Sequence, residues 1–392
     1  MAAPGWVEAS TTGRVGYDSN VAAIGPDAAG AIPKADSLVL SAGVQLGADW
    51  VKQGSVSGDW KVARVTLAAE ANRFPSVTEE DFLSARLGFA LKHQNATDVF
   101  TLDASVVRID GSEDTYDLTS TLHAYGLPVW RERRTQWQHR GRMQWTHTQG
   151  KLLTRLTGST LIFDLDTSTR APCVTYVDRA DSWVGAELGT ALGAGQAFVG
   201  AQAGRQSQDT AQVAGGQYEY SNHYRRLTAA WAGKLGTRTK LSVAAGPDWR
   251  DYDGNVAATL TDRTRRSWFV EADASVELTP RWTLTGKATR FLWVSSTGKS
   301  AYADLTLESG VVHKASQKLQ WKLAARLQQS DYFPQVRDDW LASALGSIDY
   351  AVTPELKVGA DLTYQYGWSA LQPVKGRSFA RTLVTFRATL AF

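Results

Sequence analysis

The sequence predicts an all-β chain closed into a transmembrane antiparallel up-and-down β-barrel of about eighteen strands, apolar outside and polar inside. Three observations predict it. Apolar residues recur at every second position through segments of roughly twelve to fifteen residues, the side-chain period of a strand and not of a helix. The connections alternate between short turns and long polar loops, which describes a meander of hairpins with two unlike ends. Each segment has one oily and one polar face. A ring of about eighteen strands is too wide for side chains to fill, so the oily face must lie outside, where only lipid accepts it.

The segments follow in chain order. Leu38, Leu40, Ala42, Val44, Leu46, Ala48 and Trp50 alternate with Ser41, Gly43, Gln45, Gly47 and Asp49. Next, Ala63, Val65, Leu67, Ala69 and Ala71 oppose Arg64, Thr66 and Glu70. Trp137, Gly141, Met143 and Trp145 oppose Gln138, Arg140, Arg142, Gln144 and Thr146. Trp268, Val270, Ala272, Ala274, Val276 and Leu278 oppose Ser267, Glu271, Asp273, Ser275 and Glu277. Leu319, Trp321, Leu323, Ala325 and Leu327 oppose Gln320, Lys322, Arg326 and Gln328. Leu356, Val358, Ala360, Leu362, Tyr364, Tyr366 and Trp368 alternate with Glu355, Lys357, Gly359, Asp361, Thr363, Gln365 and Gly367. The last segment sets Val384, Phe386, Ala388 and Leu390 against Thr385, Arg387, Thr389 and Ala391.

Short turns are expected at Gln94-Asn95-Ala96, Thr148-Gln149-Gly150, Gly193-Ala194-Gly195, Gly236-Thr237, Thr279-Pro280-Arg281, Ser316-Gln317 and Thr353-Pro354-Glu355, with a longer one from Gln53 to Gly58. Longer polar loops are expected near 20–34, 74–80, 111–132, 166–180, 209–219, 253–264, 295–300, 333–338 and 370–377. The even strand count puts both termini at the short-turn end, which in such an architecture is the periplasm.

Composition agrees. The 392 residues have a mean hydropathy of −0.27 and contain no apolar run long enough for a transmembrane helix, a test to which a barrel is invisible. Trp 15, Tyr 13 and Gly 34 against Met 2 and Cys 1 suit aromatic belts and tight turns. Charged residues at 21% are many for a buried sheet unless half of each strand meets water. A soluble sandwich has strands of about five or six residues, and a propeller would repeat every 40–50 residues; neither pattern is present. Cys173 alone forms no internal disulfide. The start, Met-Ala-Ala-Pro-Gly-Trp, has neither a basic nor an apolar leader region, so a mature exported form with an added Met1 is expected. Residues 1–392 read as one domain. The formal net charge of +3 argues neither for nor against nucleic acid, and no nucleic-acid partner is expected.

With Val384, Phe386, Leu390 and a final Phe392, the chain resembles Gram-negative outer-membrane β-barrels of the porin type. The resemblance implies the bacterial outer membrane, surrounding lipid and lipopolysaccharide, and Phe392 as a signal read by the barrel-assembly machinery. The stretch Gly16-Tyr17-Asp18-Ser19-Asn20-Val21 is also similar to one in uncharacterised or exopolysaccharide-linked outer-membrane barrels.

Four features bear on function. On the lumen face, Arg64, Arg86, Arg140, Arg142 and Arg155 form a basic arc, and Glu271, Asp273, Glu277, Asp304 and Glu308 an acidic one. Placed across a watery lumen, the arcs would create a transverse field that orients polar solutes; alternatively the charges pair with cross-strand neighbours, Asp273 and Glu277 with Lys287 among them. The longest loop, 111–132, carries Glu113, Asp114 and Asp117 at its start and Arg131 near its end, around an apolar centre; folded inward, it would set the aperture. Trp50, Trp60, Trp231, Trp268, Trp282, Trp340, Tyr350, Tyr364, Tyr366 and Trp368 are placed for interface belts, whereas Phe198, Tyr224, Phe269, Phe291 and Tyr302 face the lumen but look scattered. No catalytic grouping emerges beyond His223 with Ser221, and no metal-ligand spacing, so neither an enzyme nor a metal or other cofactor is expected. Ala197, Val199, Ala201, Ala203 and Ala229 form a strip where a second copy would pack as a homo-oligomer. The expectation is a channel for passive diffusion of small polar or charged solutes or ions. The alternatives are an export or surface-assembly barrel that serves exopolysaccharide or protein with periplasmic partners, and an adhesive barrel with a closed lumen.

Overall fold

The computed structural model describes residues 6–21, 36–50, 60–111, 135–166, 178–209, 211–213, 216–253, 263–294, 301–333, 337–370 and 378–392. Its strands are β1 (Trp6–Asp18), β2 (Ser37–Asp49), β3 (Trp60–Arg73), β4 (Phe82–Gln94), β5 (Asp98–Asp110), β6 (Gln136–Gln149), β7 (Leu152–Leu165), β8 (Arg179–Leu192), β9 (Gly195–Gln208), β10 (Ala211–Val213) and β11 (Gly216–Tyr218). They continue as β12 (Asn222–Leu235), β13 (Thr239–Tyr252), β14 (Thr264–Thr279), β15 (Trp282–Val294), β16 (Ala301–Lys314), β17 (Leu319–Phe333), β18 (Arg337–Ala351), β19 (Leu356–Ser369) and β20 (Phe379–Ala391). β10 and β11 form a small separate hairpin inside the expected 209–219 loop; the other 18 form one antiparallel ring. β9 pairs directly with β12, and β1 closes onto β20 from Ser10–Ala391 to Asp18–Leu383.

Closure follows from the alternation. Val184, Val199, Trp268 and Phe386 are 63%, 65%, 64% and 59% exposed on the outer surface, whereas their sequence neighbours point inward. An exterior of this kind is stable only in lipid, and in lipid an open sheet edge would leave unpaired amides and carbonyls. Strands of 13 to 16 residues, at about 3.4 Å per residue and a tilt of roughly 40°, are long enough to cross the ~25 Å apolar band. Trp50, Trp60, Tyr350, Tyr364 and Tyr366 are exposed on the same outer face. Phe392 follows, 73% exposed, with its amide donating to the Ala9 carbonyl at 2.8 Å.

The seven short turns are where the sequence places them, and the longer one from Gln53 to Gly58 lies outside the described residues. Gly150, Gly193 and Gly236 have φ of 62°, 61° and 67°, a region glycine enters without a Cβ clash. Elsewhere a side chain closes the turn: Asn95 Oδ1 accepts from the Thr97 and Asp98 amides at 2.9 and 2.7 Å, and Ser316 Oγ from the Lys318 and Leu319 amides at 3.1 and 3.0 Å.

At the long-loop end the wall departs from a simple cylinder. β14 pairs with β15 only from Val270–Arg290 onward, although β13 follows β14 as far as Thr264. Beyond Arg290, β15 leaves the wall and leans into the lumen, still paired with β16 up to Val294–Ala301. Arg290 Nη1 donates to the Trp268 carbonyl and Ser267 Oγ, both at 2.6 Å, on the β14 segment that β15 abandons. The infolded ends build a core of Tyr220, Tyr252, Leu292, Val294, Ala301, Ala303 and Phe333. Phe333 of β17 meets Tyr252 of β13 edge-on at 5.9 Å and lies under the Arg265 guanidinium at 3.7 Å. A second buried cluster forms where the 74–81 connection, with a short 3-10 turn at Thr78–Glu80, seats Phe74 and Val77 against Val21 and Val39.

Outward and inward positions differ in solvent, so they should differ in tolerance. Leu87→Arg, at an outward mid-strand position 51% exposed, is expected to cost about 2–4 kcal/mol in folding into lipid vesicles. Ala90→Arg, on the lumen side of the same strand, is expected to cost less than about 1 kcal/mol in the same urea titration. Equal costs would contradict the assignment of faces.

Candidate functional site: the lumen and its narrow plane

The long-loop half of the lumen is narrowed by side chains of β8, β9, β12 and β13 meeting the infolded β15. Asp248, 1% exposed, accepts from Arg226 Nε and Arg250 Nε, each at 2.7 Å. Arg250, fully buried, also donates from Nη1 to Asn222 Oδ1 at 3.1 Å and from Nη2 to the Leu292 carbonyl at 3.3 Å. Asn222 Nδ2 donates to Gln206 Oε1 at 3.2 Å, and Gln206 Nε2 reaches the same Leu292 carbonyl at 2.9 Å. Arg179 Nη1 donates to the Val294 carbonyl at 3.0 Å. Backbone groups that β15 withdraws from the wall are thus satisfied by side chains of β8, β9 and β13, as buried polar groups require.

The aromatics that look scattered in sequence gather here under the arginines. Tyr224 lies beneath Arg226 and Arg250 at 4.5 and 4.1 Å, and its hydroxyl donates to Asp181 Oδ1 at 2.8 Å. A Cβ at Gly204 would stand 2.3 Å from this ring, so glycine is what lets the ring lie flat on β9. Phe269 shares Arg226 at 4.6 Å, and Phe198 carries Arg155 at 3.6 Å. Such stacks hold each guanidinium plane and are worth about 0.5–2 kcal/mol apiece. Phe291 and Phe198 line the same cavity, and Tyr302 stands 5.0 Å from Tyr332 among the buried residues of the infolded ends.

That cavity, about 520 Å3, is bordered by Arg142 and Arg155 on one side and by Glu271 on the other, so residues from both expected arcs face one space. Their partners differ. Arg155 is paired with Glu187 at 3.0 Å, and Arg64 with Glu8 at 2.6 Å and Asp49 at 3.2 Å. Asp304 accepts from Gln328 and Ser330, each at 3.0 Å, and Glu308 lies 3.7 Å from Arg326. Arg86, Arg140, Arg142, Glu271 and Asp273 have no ion pair among the described residues and project from the lumen faces of β4, β6 and β14. Glu113, Asp114, Asp117 and Arg131, with the whole centre of the 111–132 loop, lie outside the described residues. Ser221 Oγ is engaged with the Gln208 backbone, at 3.0 and 3.3 Å, while His223 Nε2 meets Arg205 on the outer face, so the two do not form a nucleophile–base contact.

A larger chamber of about 890 Å3 occupies the short-turn half and adjoins the first cavity at Ser242. Its charged lining is Lys234, Lys240, Lys287, Lys322 and Arg326 against Asp273 and Glu308. The acidic arc is therefore interleaved with cations. Sequence reading offered Lys287 as a cross-strand partner of Asp273 and Glu277 but missed Lys234 and Lys240, because it followed the acids strand by strand; register sets Lys240 beside Ser275 and Lys287 between Asp273 and Glu308. It also missed Arg387, which bridges Asp349 and Asp361, and Arg14, which pairs with Glu70.

Arg250 is the strut of the narrow plane. Arg250→Ala is expected to lower stability by about 3–5 kcal/mol, because it leaves Asp248 with part of its buried charge uncompensated. In hydrogen exchange, amides at 291–294 should lose protection while mid-barrel amides keep theirs. Unchanged protection at 291–294 would show that β15 is held there by something else.

No protein-family model matches the chain, and no curated protein matches it. Among solved structures, it is similar to the outer membrane protein OpdK from Pseudomonas aeruginosa, at 10% identity over 99% of each chain and a TM-score of 0.47. The same protein with vanillate gives 11% identity over 100% of each chain and a TM-score of 0.49. OccAB3 from Acinetobacter baumannii gives 11% identity over 98% of this chain and 99% of that chain, with a TM-score of 0.47. The decisive features are the chain's own: a closed ring of 18 antiparallel strands, an apolar skin and a charged interior make this a transmembrane antiparallel β-barrel, the architecture of outer-membrane proteins.

Proposed function

We propose that the protein is an outer-membrane channel through which small polar or charged solutes diffuse, with the long-loop end facing outward. The observation that carries this reading is the pair of adjoining polar cavities inside a barrel whose outer surface is apolar. The narrow plane sorts by size and orientation: Arg142, Arg155 and Arg226 face Asp181, Glu187 and Glu271 around one space, a balanced arrangement that aligns dipolar solutes. The wider chamber is unbalanced, with five cations to two anions, and favours anionic solutes. The passage performs no chemistry in this reading and requires no cofactor.

A specific observation favours a second reading, export or surface assembly with periplasmic partners. Fully buried residues fill the long-loop half, Arg250, Tyr220, Tyr224 and Tyr302 among them, as a plugged barrel requires. Planar-bilayer recording separates the two. A diffusion channel gives steady single-channel conductance, with a reversal potential under a salt gradient that reports anion preference. Replacing Lys240, Lys287 and Lys322 together by Gln should lower the anion-to-cation permeability ratio several-fold and leave folding intact. Silence from correctly folded barrel would refute the open passage and support the plugged one.

A further inference from the structure

The outer surface between β6 and β14 is not a uniform apolar skin. Gly141 and Gly158 on one side and Ala186, Ala201 and Ala203 further round are small where neighbouring outward positions carry Met143, Leu156, Val184 and Leu227. The result is two adjoining depressions on the lipid side, of about 1000 and 580 Å3, which share Met143, Val184 and Ala203. At their long-loop end the register sets Ala203, Arg225, Trp249 and Arg266 side by side on β9, β12, β13 and β14. The next row outward holds Arg205, His223, Asp251 and Thr264.

These arginines face away from the lumen. The Arg225 side chain is 78% exposed, and its nearest carboxylate, Asp251, is 4.0 Å away and itself 56% exposed. Arg266 is exposed, with no ion pair among the described residues. Arg205 is held by Asp253 at 2.9 Å and by His223. Arg225 and Arg266 lie three and two residues inside their strand ends, within about 10 Å of the barrel rim. An outward arginine is costly at the bilayer centre and nearly free at headgroup depth, so the position fits phosphate level. Trp249 between the two arginines suits the same depth, since its ring is at home at that interface.

We propose that this face binds one phosphorylated acyl-glycolipid of the outer leaflet, its acyl chains in the depressions and its phosphates on Arg225 and Arg266. Two forked guanidinium groups without a firm carboxylate partner, set above an apolar depression, match an anion with several acyl chains. A second copy of the barrel does not match: it would bring the same outward arginines against this patch or bury them against an apolar strip. The proposal rests on the orientation given above but not on conduction.

Native mass spectrometry of the detergent-extracted, folded barrel tests it, with purified phosphorylated lipid A, its dephosphorylated form and phosphatidylglycerol as probes. Wild-type protein is expected to retain one phosphorylated lipid A, and the variant R225A/R266A to bind it about ten-fold more weakly or less. Because both side chains lie outside the lumen, the variant should keep its heat-modifiable migration and its bilayer behaviour, which shows that it is folded. Equal retention of the dephosphorylated form would overturn the proposal. So would equal retention by the variant, or a wild-type dimer in which Arg225 and Arg266 are shielded from an arginine-specific reagent. Preference for phosphatidylglycerol over lipid A would also overturn it and would point to the inner leaflet, contradicting the orientation; loss of lipid A binding with conduction unchanged leaves the channel reading untouched.

Discussion

Everything in this barrel depends on one constraint: in hydrocarbon, a backbone amide or carbonyl has no water to turn to. A sheet meets it by closing on itself, and the pairing of β1 with β20 supplies the last row of partners. Closure at eighteen strands fixes the rest. The ring is too wide to fill with side chains from the wall, so the inner face is wet and the apolar residues face lipid. The period-two pattern is the chemical record of that inversion, and each strand has to keep it for the wall to remain in the bilayer.

The same constraint shapes the exception. Where β15 leaves the wall, it gives up partners on β14, and every group it withdraws has to be met inside the lumen. Arg250, Gln206 and Arg179 do so by donating to the Leu292 and Val294 carbonyls, and Arg290 covers the carbonyl left behind on β14. These are long side chains with several donors, held in plane by tyrosine and phenylalanine rings. The narrow plane is therefore built mostly from the strands themselves. Its position near the long-loop end leaves the cationic chamber open at the other half, so a solute meets a close-fitting filter and a wide vestibule in series.

The sequence makes the wall legible almost residue by residue, because strand period and face polarity are local properties. Turns at Gly150, Gly193 and Gly236 are legible for the same reason. The infolding is less so, though it leaves a trace: Phe291-Leu292-Trp293-Val294 is apolar on both faces, which a wall strand between lipid and water is not. Charges are the least legible. Arg64 is neutralised by Glu8, two strands away, and Arg155 by Glu187 on the next strand, whereas Arg142 has no such partner among the described residues. No local pattern separates these cases, since each depends on register around the ring and on rotamers. Lys234 and Lys240 of the chamber went unseen for the same reason.

The site depends on β15 folding inward until it meets β9. Cysteines at Gln206 and Leu292, joined by a short bifunctional maleimide in intact membranes, test it most directly. The geometry predicts efficient cross-linking of this pair and none between positions 206 and 284, because Leu284 stays in the wall beside Val276. Failure of the 206–292 pair to cross-link in folded barrel, with each single cysteine reactive, would contradict the infolding and leave the long-loop half open.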